Sequence, residues 1–164
     1  MSPVTAPLSP LSPSITALTL HADAAHLLGN LAFGSFFAWS VSRYCGVGFG
    51  WLAIVVAAAF GNIVNVSVLG PDHRSIGAST AVFAALGLLS AYLWRRGFRS
   101  GATRRERMAP VVAGLGLLGF TGAGGTNTDV GAHLFGFVAG FGVGLAVARL
   151  GVPRSSVAQL GSGF

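Results

Sequence analysis

Apolar residues run through this chain in long blocks, and short polar or basic segments separate them. A helix needs roughly 20 mostly apolar residues to cross a hydrocarbon core. Five blocks meet that measure and predict helices over residues 25–41, 47–69, 76–94, 108–124 and 130–150. Residues 42–46 carry Arg43, residues 70–75 read GPDHRS, residues 95–107 are strongly basic, and residues 125–129 read GTNTD. The Gly, Pro, Asn and Asp content of the second and fourth breaks is that of turns. Residues 1–20 hold Pro3, Pro7, Pro10 and Pro13, which rule out a continuous helix there. They also lack the basic stretch and long apolar core of a secretory signal. The organisation expected is a Pro-rich tail (1–20), an all-α polytopic membrane bundle (21–150) and a loose C-terminal tail (151–164).

Composition narrows the class. Of 164 residues, 52% are hydrophobic and 9% charged, whereas a soluble domain carries about 25% charged residues. The 25 glycines lie within apolar runs, where membrane helices use them to pack closely. These values exclude a soluble globular enzyme, a coiled coil, a disordered tail and a disulfide-stapled domain. The single Cys45 cannot form an internal bridge and reads as an inert interfacial residue. The net charge of +6 does not point to nucleic acid, because aromatic and basic residues are not interleaved and the arginines flank apolar blocks. If residues 95–107 face the cytoplasm, nine of the ten arginines do so, and Arg74 alone lies outside. Asp23, Asp72 and Asp129 then fall on the outer side. A prokaryotic inner membrane fits the small size and compact loops, with the bilayer itself as the first partner.

With that orientation, four polar residues from three helices share one depth near the outer face. They are His26 and Asn30 in the first helix, Ser79 in the first turn of the third, and His133 in the first turn of the fifth. Intramembrane polar groups are costly, and each is a site candidate. His26 and Asn30 are four apart and share a helix face. His21 lies about 140° from His26; with no suitably spaced carboxylate or thiolate partners, a metal site is not expected, nor any other cofactor. Ser79 and His133 are the residue types of a nucleophile and its general base. Asp129 reaches His133 only if the helix starts early, so a dyad is the economical arrangement. Gly136, Gly140 and Gly144 form a ridge on nearly the same face as His133. Gly77, Ala81, Ala84 and Gly87 offer a small-residue stripe near Ser79. The free N–H groups of the helix start at Ser79 suit an oxyanion.

Three segments resemble the motifs of rhomboid intramembrane serine proteases. HADAAHLLGN (residues 21–30) resembles their HxxxxHxxxN motif, IGASTAVFAALG (76–87) their GxSx serine segment, and GAHLFGFVAG (131–140) their last core helix. The three occur in family order, and the resemblance spans residues 20–150. It implies Ser79 as nucleophile and His133 as general base. His26, Asn30 and the Ser79 amide would stabilise the oxyanion, and His21 would be a structural loop histidine. It also implies that helix 108–124 is the mobile gate for a substrate helix. Two departures stand out. The family core has six helices, and the one before the HxxxxHxxxN segment has no counterpart here; Thr80 stands where many active members have glycine.

Taken singly, each of these residues has a plainer explanation. Ser79 packs helices, His133 bonds a carbonyl, and Asn30, Asn62 and Asn65 join helices. His73 reads as solvated, and the arginines of 95–107 as topology anchors without independent support for lipid head-group binding. The coincidence of depth, order and motif favours an endopeptidase that cuts transmembrane segments of single-span proteins near the outer face. The alternative is an inactive rhomboid-like pseudoprotease that binds membrane helices. A small transporter or channel ranks below both, because the polar residues gather at one end.

Overall fold

Large apolar side chains line the outside of this molecule, and its interior combines an apolar core with small and polar residues. Leu28, Phe36, Trp39, Val68 and Phe120 are exposed, while Asn62, Asn65, Ser79, Thr80, Ser90 and His133 are buried. That distribution suits lipid as solvent, where exposed surface is apolar and polar groups find partners within the bundle. The computed structural model describes Ile15 and residues 24–70, 78–122 and 129–151. The loop histidines His21 and His73, both tails apart from Ile15, and the side chain of His26 lie outside the described residues.

Within them the chain forms five helices: α1 (Ala24–Cys45), α2 (Val47–Leu69), α3 (Ser79–Arg99), α4 (Arg104–Gly122) and α5 (Val130–Leu150). The all-α bundle expected from the apolar blocks is the fold observed, and α2 and α5 coincide with their expected bounds. Both are long and apolar enough to span a membrane by themselves, with mean hydropathy 2.2 and 1.8 over their best windows. Two helices run past the expected ends. α1 continues through the basic turn to Cys45, leaving Gly46 (φ 81°) as the sole non-helical residue before α2. α3 continues to Arg99, so the basic break shrinks to residues 100–103, with Gly101 at φ 70° making the reversal. Arginine is a good helix former, and the helix stops where glycine supplies a left-handed conformation. α4 opens on a capping box. The Thr103 N–H and hydroxyl donate to Glu106 Oε2 at 2.8 and 2.9 Å, and the Glu106 N–H donates back to the Thr103 hydroxyl at 3.3 Å.

α3 is the central helix and packs against all four others. It is closest to α5, and glycines set that distance. Cβ atoms built at Gly136, Gly140 and Gly144 would meet the backbone carbonyls of Thr80, Ala84 and Leu88. Both helices advance four residues per contact, so they run parallel with backbones touching. Gly136 is pressed from the other side too, since a Cβ at Gly61 of α2 would lie 2.9 Å from its Cα. α4 is the outlier: it packs on α3, meets α5 sparsely, and has no contact with α1 or α2 among the described residues.

Candidate active site

Ser79 is the first residue of α3 and His133 the fourth of α5, the first-turn positions expected from the sequence. Both are buried, at 8% and 6% exposure. The ring of His133 packs on that of Phe83, with centroids 4.4 Å apart. Phe83 lies one turn beyond Ser79 on the same face of α3. Serine and imidazole are thus gathered at one end of the α3–α5 seam, with an apolar ring as floor. Phe83 was not singled out from the sequence, although its i+4 spacing from Ser79 was visible there.

Ala78 is the N-cap of α3 and supplies no side-chain cap, and the Val82 N–H donates to the Ala78 carbonyl at 3.0 Å. Thr80 does not project away from the bundle: it is 1% exposed, and its methyl lies 3.0 Å from a Cβ built on Gly136. Its side chain occupies the α3–α5 seam.

Asn30 comes from α1. Gly34 faces Val82, and ten residues further along both helices Tyr44 stacks on Tyr92 with centroids 5.6 Å apart, so α1 and α3 run parallel. One turn back from Gly34 and Val82 lie Asn30 and Ala78, which sets Asn30 at the depth of Ser79. The side-chain nitrogen of Asn30 is buried and, among the described residues, has no hydrogen-bond partner. Buried amide donors are nearly always bonded, so an idle one at the depth of Ser79 is a candidate donor. His26 lies one turn earlier on α1. His21, the remaining site residue expected from the sequence, is outside the described residues.

A second polar assembly fixes the start of α5. Asp129 is its N-cap and accepts from the Ala132 N–H at 2.9 Å. The other carboxylate oxygen accepts from Asn65 Nδ2 of α2, also at 2.9 Å. Because the helix starts at Val130, the Asp129 carboxylate caps it. Asn65, fully buried, is the interhelical link that its apolar context suggested. Together they tie α2 to the turn that carries His133.

A membrane-type helical bundle with a buried serine and histidine at one end of its tightest seam defines a class of intramembrane proteins. The rhomboid domain model matches residues 10–150, and the chain belongs to the rhomboid family. Rhomboids are integral membrane proteins, and the apolar exterior agrees. The chain is 31% identical over 127 residues to the protein named "Putative rhomboid protease YdcA" of Bacillus subtilis (strain 168), covering 77% of this chain and 62% of that relative. It is 29% identical over 129 residues to "Rhomboid-like protease 1" of Toxoplasma gondii, covering 77% of this chain and 43% of that relative. The chain therefore spans less than two thirds of either relative.

Proposed function

We propose that this protein is an intramembrane serine endopeptidase with a Ser79–His133 dyad, acting on single-span membrane proteins. The observation that carries the reading is the seam itself. It buries Ser79 and His133 at one end of two helices in backbone contact, with Phe83 seating the imidazole. Family membership and the names of both relatives agree with a protease.

In this mechanism a substrate helix unwinds locally, because a helical peptide bond is shielded from attack. The Ser79 hydroxyl attacks the exposed carbonyl while His133 takes its proton. The oxyanion receives hydrogen bonds from the Ser79 N–H and the idle amide of Asn30, with His26 as a further donor. His133 then protonates the leaving amine, and water hydrolyses the acyl-enzyme to free Ser79. α4, attached mainly to α3, is the element that opens for the substrate. Most arginines lie at the opposite end from Ser79, which supports a site facing the outer side of a bacterial inner membrane.

The test is covalent labelling of the protein in lipid with a fluorophosphonate, mapped by mass spectrometry. A label on Ser79 that is lost in His133→Ala is expected, together with loss of cleavage in Ser79→Ala. Absence of label in folded protein would instead favour the inactive, helix-binding reading, and cleavage retained by purified Ser79→Ala would refute the dyad.

A further inference from the structure

At the end of the bundle opposite Ser79, the C-terminal turns of α1, α3 and α5 enclose a cleft of about 490 Å³. Arg43 and Tyr44 of α1 line it, with Tyr92, Arg96 and Arg99 of α3, and Ala148 of α5 closes one side. No carboxylate is among the lining residues. The chain has only four acids. Glu106 is engaged by Thr103 and Asp129 caps α5 at the far end. Asp23 and Asp72 adjoin, in sequence, the far ends of α1 and α2.

The charge balance favours an anion. Three helix C-termini each contribute about half a negative charge, roughly −1.5 together. Three guanidiniums outweigh that by a similar amount. Arg99 Nη2 donates to the Ala148 carbonyl at 2.6 Å, which offsets the negative end of α5 and ties α3 to it. The other two arginines are seated on rings: Arg96 lies 5.5 Å from the Tyr44 centroid and Arg43 5.7 Å from that of Trp39. Ring contacts hold a guanidinium without using its in-plane N–H donors. Among the described residues neither of these two groups has a hydrogen-bond partner. Planar donor forks beside tyrosine hydroxyls match the oxygens of a phosphate.

The location selects the source of that phosphate. Trp39 is exposed beside the cleft, Tyr44 is half-exposed and Leu150 is almost fully exposed, so the cleft sits where an apolar belt ends and aromatic rings meet the interface. Basic pockets between helices at that level suit lipid head groups. We propose that this cleft binds the phosphodiester of an anionic phospholipid, in the leaflet at the arginine-rich end of the bundle. The proposal rests on membrane residence and this geometry, and stands independently of the proteolytic reading.

Native mass spectrometry of the full chain, released from detergent with titrated dioleoyl phosphatidylglycerol or dioleoyl phosphatidylcholine, tests it. Arg43→Gln and Arg96→Gln remove charges that hold no backbone group. Arg104→Gln removes an exposed charge outside the cleft and serves as the matched control. Each cleft substitution is expected to lower phosphatidylglycerol affinity about fivefold, with Arg104→Gln unchanged and phosphatidylcholine weakly retained. Arg96→Lys keeps the charge but loses the planar fork, and is expected to fall between wild type and Arg96→Gln. Equal losses in Arg104→Gln would reduce the effect to diffuse surface charge and overturn the site. So would equal retention of both lipids. Displacement of bound lipid by excess inorganic phosphate would assign the cleft to a soluble anion and overturn the lipid assignment. Circular dichroism of each variant ensures that the comparison is between folded proteins.

Discussion

Gly140 gives the sharpest test of how this bundle is held together. A Cβ built there would lie 2.7 Å from the Ala84 carbonyl carbon and 2.8 Å from its Cα. Carbon atoms in ordinary contact are about 3.5–4.0 Å apart. Both obstacles are backbone, so no rotamer change relieves them, and Gly140→Ala forces α3 and α5 apart by about 1 Å. At Gly142, two residues on, an added Cβ would meet nothing within 4 Å. Alanine gains about 1 kcal/mol of helix propensity over glycine at either position, so propensity cancels in the comparison. What remains is overpacking, at about 1–3 kcal/mol. Reversible unfolding in mixed micelles, titrated with dodecyl sulfate and followed by tryptophan fluorescence, is expected to show Gly140→Ala less stable than Gly142→Ala by that amount. The same displacement moves Ser79 relative to His133. A misplacement of about 1 Å costs about 100-fold in rate, so fluorophosphonate labelling of Gly140→Ala slows while Gly142→Ala labels normally. Matching stability and labelling in the two variants would refute the close-contact seam as the device that assembles the site.

The Asn65–Asp129 link predicts a rescue. Asn65→Asp sets two carboxylates against each other and weakens folding and labelling, whereas adding Asp129→Asn restores a donor–acceptor pair and the cap, and both readouts recover. Asn30→Ala is expected to lower kcat by about 100-fold or more with little change in KM, the mark of a donor used in the transition state; steady-state cleavage of a model transmembrane substrate measures both. Acidification acts on α4. The Thr103 N–H and then its hydroxyl hold the Glu106 carboxyl below its ordinary value. Such a group contributes stability above its unfolded pKa that is lost as pH falls through the folded one. Hydrogen exchange in the first turn of α4 should therefore quicken below the usual carboxylate range, and Glu106→Gln should remove that dependence.

The elements set by long-range apolar pattern were readable from sequence, and those set by local competition were not. α2 and α5 could be bounded to the residue because turn-forming segments and glycines interrupt long apolar runs. The ends of α1 and α3 could not, since arginines at a membrane boundary end an apolar block without ending a helix. The capping box at Thr103 was present as T-R-R-E and shows that the basic segment starts a helix instead of forming an extended loop. Ser79 and His133 were legible because first-turn polar residues share a depth. The partners that seat them were less so. Phe83 looks like one more apolar residue of α3, and only the packed structure sets it under the imidazole. The Asp129 carboxylate, four residues before His133, accepts from the Ala132 N–H and Asn65 Nδ2 at the cap position, contacts the sequence alone does not reveal.

The proposed mechanism asks three helices to stay fixed and one to give way. α2, α3 and α5 meet through backbone at Gly61, Gly136 and Gly140, and bury nearly all the polar side chains. In a low-dielectric interior an unpaired polar group is costly, so displacing any of these helices breaks packing and hydrogen bonds together. α4 differs: Gly116 and Gly119 have nothing within 4 Å, and Phe120 is 85% exposed. Its contacts run from Arg107, against Gly97, through Gly114, against Ser90 and Phe137, to Leu117 and Leu118, which pack on the core. The proposed gating role asks the last turn of α4, with Phe120, to move without disturbing the α3–α5 seam. Stability and activity should therefore separate along α4. Phe120→Ala is expected to leave the dodecyl sulfate midpoint unchanged while altering cleavage of a transmembrane substrate more than labelling by a small fluorophosphonate. If that substitution instead shifted the midpoint as Gly140→Ala does, α4 would be part of the rigid core and access would have to come by another side of the bundle.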